Sequence, residues 1–288
     1  MEIAKLIGLI VQVSMGLIIL SVALNATFKD LTYLLHKPGL LIRSLLAMYV
    51  IMPLFAIAIA LLFNLNIVVE AALIALALSP VPPVLPRKEL KAGGAASYTL
   101  GLFAIAAIVS IFYVPLAAEM VGRAFGQDLD VSTGRVAGIV ATSVLLALIV
   151  GVVIRAWLPS LADKLAKPAG IIGTVLLFLA LIPVLIKMWP EIAALIGNYT
   201  IVAIIGFVLV GFLVGHQLGG PDPEERTVLA LSTATRHPAI AMAILYQAKH
   251  HTTVLAAVLL VLLVGVVVSA PYVRWRKRVQ GVNAPRPA

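Results

Sequence analysis

The chain has 288 residues, 62% hydrophobic and 11% charged, with a mean hydropathy of +1.12 and a net charge of +9. Soluble domains carry about 45–50% apolar and about 25% charged residues, so this composition excludes a soluble globular protein and points to one built in lipid. The basic excess falls in loops between apolar runs, as the positive-inside bias requires, so it is no nucleic-acid signature; with no cysteine there is no disulfide, thiolate metal site or Cys nucleophile.

The apolar runs are about 20 residues long, which fits spanning helices and not the ten-residue alternation of barrel strands. About nine spans are expected. Residues 6–25 form the first, read as a retained helix because no A-x-A-like cleavage site follows. The polar loop from Lys29 to Lys37 leads to the second span, 38–63, with Arg43 near its start and Pro53 inside. The third begins at 67 and meets Pro80, Pro82, Pro83 and Pro86, which no continuous helix accommodates. Arg87-Lys88-Glu89-Leu90-Lys91 follows; it reads as a solvated basic end, or as an electropositive vestibule for anions. The fourth span covers 95–120 and carries Ser97 and Thr99 at its start, where they could face the break. A loop with Asp128 and Asp130 closes the first half.

The second half places spans at 136–158, 168–188, 200–218, 228–246 and 254–272, the last ending in Arg274, Arg276, Lys277 and Arg278. Most Lys and Arg fall on one side if the C-terminus is cytoplasmic, which sets the N-terminus outside, in a bilayer expected to be a bacterial inner membrane. His250 and His251 have no further ligands nearby in sequence, so no metal is expected there.

The eighth span is the informative one. It contains Ser232-Thr233-Ala234-Thr235-Arg236-His237-Pro238. A cation at mid-membrane depth costs roughly 2.5–3.5 kcal/mol on insertion scales and belongs in a protein interior or a wet cavity. Pro238 lacks an N–H and pushes His237 out of helical geometry, so this helix breaks beside its own charge. Spans one to four and six to nine then share a plan, with two ordinary spans before the one that breaks and one after it. Five spans separate the counterparts, so the second set is inverted. Paired broken helices in inverted repeats point to a transport site at their interface. Arg236 is either a fixed counter-ion for an anionic substrate or a structural cap for freed carbonyls. His237 is a candidate proton carrier or a neutral hydrogen-bonded imidazole. Ser232, Thr233 and Thr235 supply hydroxyls at the break, for ligation or for bonding back to their own helix.

Met15-Gly16-Leu17, the loop with Phe28-Lys29-Asp30, and Met52-Pro53-Leu54 occur in the order used by the bile acid:sodium symporter family, and the chain resembles that family over nearly its whole length. The proline-rich break stands where that family has its first crossing helix, and Leu231 to Ala243 where it has the second. The resemblance implies an all-α polytopic fold with an inverted repeat, and organic-anion transport by alternating access. It implies a panel of spans one, two, five and six (1–63 and 128–194) on a core of spans three, four, seven, eight and nine (64–127 and 195–275), with 276–288 as a tail. Two departures bear on the ion. Ser232 stands where sodium-coupled members have Glu, and Arg236-His237 where they have Gln-Asn. A guanidinium repels the sodium it would replace, so sodium is a disfavoured cofactor, and no other is expected. The expected activity is secondary transport of a small organic anion. A proton-coupled or uncoupled carrier, and a non-transporting receptor or scaffold, are the alternatives. No enzyme motif is present.

Overall fold

The structure, a computed structural model, describes residues 2–125, 131–245 and 251–281. Asp128, Asp130, residues 246–249 of the expected second broken helix, His250 and the tail beyond 281 lie outside the described residues.

The chain is helical throughout the described residues, without a strand. Helix α1 spans Glu2–Ala23 and the short α2 Phe28–Leu31, opened by a capping box in which Asp30 accepts from the Thr27 N–H and hydroxyl at 2.7 Å each. The second membrane helix is α3 (Pro38–Leu46), a π-helical turn (Ala47–Ile51) and α4 (Met52–Leu62). Pro53, without an N–H, sits just past the π turn, which releases the Met48 and Tyr49 carbonyls from the helical ladder. Tyr113 donates to the Tyr49 carbonyl at 2.6 Å. The first broken helix is α5 (Ile67–Leu78) and α6 (Leu85–Lys91), with Pro80, Pro82 and Pro83 in the non-helical link and Pro86 in the first turn of α6.

Then come α7 (Ala96–Ala124), α8 (Thr133–Val140), a second π turn (Ala141–Leu145), α9 (Leu146–Trp157), α10 (Pro159–Ala194) and α11 (Thr200–Leu218). The second broken helix is α12 (Pro223–Ala234) and α13 (Pro238–Ile244), and α14 covers His251–Val279. Seven helices among the described residues are long and apolar enough to cross a membrane. The α10 helix runs straight through Pro168, where the sixth span was expected to start. At 36 residues it is about 54 Å long, well beyond the roughly 30 Å hydrocarbon layer.

Packing divides the helices into two groups. Helix α1 lies along α10 and α9, while α5, α7, α11, α12, α13 and α14 gather around the breaks. The second span, expected at residues 38–63, packs on α5 and α11, with its π turn against α12. Apolar helices read alike on every side, so hydropathy did not reveal this neighbour; the π turn does, because a carbonyl it frees is taken up at the break. The groups meet through α8 against α7 and α13, α10 against α14 and α1 against α6, and through Arg87 of α6, which donates to the Gly170 carbonyl and the Thr174 hydroxyl of α10.

Three glycines seat the second broken helix. A Cβ on Gly211 would lie 2.7 Å from Ala234 Cα, on Gly215 2.5 Å from Ala230 Cα, and on Gly219 2.5 Å from Arg226 Cα. Gly211 and Gly215 on one face of α11 and Gly219 just past its end, spaced four apart, let this backbone lie directly on α12, the small-residue packing that membrane helices use where no hydrophobic effect drives association.

Candidate functional site at the crossing

The two breaks meet. Helix α5 stops at Leu78, and Ser79 leads on as extended chain into Pro80; α12 stops at Ala234, and Thr235 and His237 are extended up to Pro238, the first residue of α13. The His237 N–H lies 2.9 Å from both Ser79 Oγ and the Pro80 carbonyl. That bond ties one break to the other and satisfies groups that lipid would leave bare.

Arg236 stands at this contact, 2% exposed. Its Nη1 donates to the Ser79 carbonyl at 3.3 Å and its Nη2 to the Met48 carbonyl at 2.9 Å. One guanidinium thus joins the C-terminal cap of α5 to the π turn of the second span. The phenols of Tyr49 and Tyr113 are its other polar neighbours, their rings 4.5 Å apart. Among the described residues no carboxylate pairs with it. Its Nε and both ring nitrogens of His237 are buried without a hydrogen-bond partner.

The remaining expected site residues fall in three places. Thr233 Oγ1 bonds back to the Leu229 carbonyl at 2.7 Å within its own helix. Thr235 is half-buried in the break itself. Ser232 is buried on α12 and donates to Glu89 Oε1 at 2.6 Å. Thr99, 1% exposed at the start of α7, lies beside that same carboxyl. Ser97 belongs to a different cluster: its hydroxyl donates to Asp30 Oδ1 beside α2. Burial works against ionisation of Asp30, but hydrogen bonds from Ser97 and Thr27 outweigh it and hold the carboxyl below its ordinary range.

Sequence reasoning missed three partners. The Met48 and Ser79 carbonyls that hold Arg236 are backbone groups, which residue type does not flag. Glu89 had a faint signal: within the basic run, Leu85, Glu89 and Ala92 recur at helical spacing, and all three are buried. Lys88, beside it, reaches Ser269 on α14 at 2.6 Å.

Two crossed broken helices inside an apolar bundle, with a buried cation at the crossing, define a polytopic α-helical membrane protein of transporter build. The Sodium Bile acid symporter family matches residues 12–191, and the chain belongs to that family. Its members are transporters and not enzymes. The matched stretch includes the first broken helix and stops before the second, so Arg236 lies outside it, and the match is shorter than the near-complete resemblance expected above. No curated protein matches the chain.

Proposed function

We propose that the protein is a secondary transporter of a small organic anion, and that Arg236 is the fixed positive charge that receives the anion at the crossing. The supporting observation is the set of three buried nitrogens without partners, Arg236 Nε and the two of His237, side by side in sequence at the break. Buried donors are nearly always satisfied, so Arg236 Nε–H and the single N–H of a neutral His237 ring call for acceptors that the described residues do not supply. The bonds to Ser79 and Met48 hold the guanidinium in place and leave its Nε edge for a carboxylate or sulfonate. With Ser232 and Arg236 at positions where sodium-coupled relatives have carboxylate and amide, the protein's own charge takes the part that sodium plays elsewhere.

In this reading the broken helices form an inverted pair within about nine spans. The group of α1, α9 and α10 moves against the remainder, opening the crossing to one side and then the other. The test is binding by purified protein of carboxylates and sulfonates of graded size, compared between wild type, Arg236→Ala and Arg236→Lys. Loss of a charge-assisted bond, about 1.5–3 kcal/mol, weakens affinity roughly 10- to 100-fold in the Ala variant. The Lys variant loses most of the affinity if the planar fork matters. Equal affinity in all three proteins would assign Arg236 to capping carbonyls alone.

A further inference from the structure

Glu89 has no part in the reading above, yet its carboxyl is buried beside the crossing, bonded to Ser232. It is 1% exposed on a seven-residue helix held tightly against α12, where a Cβ on Gly94 would lie 2.7 Å from Val228 Cγ2. Its Oε1 accepts from Ser232 Oγ, four residues before Arg236, and the Thr99 hydroxyl lies beside it. Helices α1, α7 and α12 pack on α6. From α12 the neighbour is the Ser232 hydroxyl; Glu225 of that helix pairs with Lys37 and Tyr33, and Arg226 bonds the Gly220 carbonyl. From α7 come Thr99 and the Tyr98 phenol, the latter bonded to Ser44. Residues 6–23 of α1 carry no titratable side chain. Lys88, on α6 itself, is the nearest cation, and its ammonium is engaged by Ser269 of α14. No ion pair to Glu89 exists among the described residues.

An unpaired carboxylate at such a site costs several kcal/mol, whereas a carboxylic acid is neutral and offers an O–H to a neighbouring hydroxyl. We propose that Glu89 is a proton-binding site within the crossing, loaded and emptied as the broken helices move, so that the carrier couples to protons. Coupling rests on the transporter reading; the proton site itself does not. In the loading step the Glu89 carboxylate takes a proton from hydronium and water leaves; release is the reverse, and no electrons are transferred. Ser232 remains hydrogen-bonded in both forms because a hydroxyl can donate to the carboxylate or accept from the acid.

Infrared difference spectroscopy of the full chain in lipid, with no anion added, tests this. At neutral pH wild type should show the carbonyl stretch of a protonated carboxyl, and the band should move when the buffer is changed to D2O. Glu89→Gln should remove it. Ser232→Ala, which keeps the acid and deletes its hydrogen bond, should shift it, so the answer survives if the Gln variant does not fold. Absence of the band, or a band unchanged in both variants, overturns the proton site. A band that never responds to D2O marks a sealed structural acid and overturns coupling. If no anion binds the protein but the band is present and exchanges, the proton site stands and the anion reading falls.

Discussion

Gly215→Ala is a one-carbon perturbation with a consequence that can be worked from distances. The added Cβ would lie 2.5 Å from Ala230 Cα and 2.5 Å from the Leu229 carbonyl oxygen, both backbone atoms that no rotamer change can move. Ordinary carbon contacts fall near 3.5–4.0 Å, so α11 and α12 must separate by about 1 Å. Overpacking of this kind costs about 1–3 kcal/mol. Gly206→Ala, on the same helix, is the control: nothing lies within 4 Å of its Cβ, and replacing a helical glycine there gains up to about 1 kcal/mol. The two variants should therefore differ by about 1–4 kcal/mol, readable as a gap of several degrees between thermal midpoints in one detergent. Since α12 ends at Ala234, the displacement passes straight to Arg236, and Gly215→Ala should also weaken anion binding while Gly206→Ala leaves it unchanged. Equal midpoints would refute the direct backbone seating of α12 on α11.

Other consequences are simpler. Arg87→Ala removes the donor to Gly170 and Thr174 and should lower the thermal midpoint by the equivalent of about 1–3 kcal/mol; an unchanged midpoint would mean that the two helix groups are held together elsewhere. Asp30, with its carboxyl held below the ordinary range, contributes stability that is present above the unfolded value of about 3.9 and lost as pH falls through its folded value. Asp30→Asn should cost about 1 kcal/mol at neutral pH and flatten the stability profile on the acid side; parallel profiles would remove Asp30 from that account. Ser79→Ala deletes one of two acceptors for the His237 N–H and should leave the break standing on the Pro80 carbonyl, with a small loss of stability in the same assay; complete unfolding would contradict this.

The elements that chemistry forbids from being ordinary were the legible ones. Pro80 to Pro86 and Pro238 cannot continue a helix, and Arg236 cannot face lipid, so both breaks and the buried cation were readable from residue type alone. Neighbour relations were not. A spanning helix is apolar toward lipid and toward protein alike, and nothing in residues 38–63 says that they pack on α5 and not on α1. The π turn before Pro53 was half visible, because proline frees a carbonyl, but which donor takes it depends on a residue nearly two hundred positions away. Glu89 was hidden by its company: amid Arg87, Lys88 and Lys91 a carboxylate reads as one more surface charge. Its burial follows from α6 turning one face onto α7 and α12, a consequence of tertiary packing.

The most direct test of the account is the thermal midpoint of purified protein against carboxylates and sulfonates, each measured in sodium and in potassium. A ligand that binds the folded state raises the midpoint with the logarithm of its concentration over its dissociation constant. A cation built into the crossing predicts stabilisation by at least one anion, of equal size in the two salts, and lost in Arg236→Ala. Stabilisation that appears only with sodium, or that persists undiminished without Arg236, would contradict it.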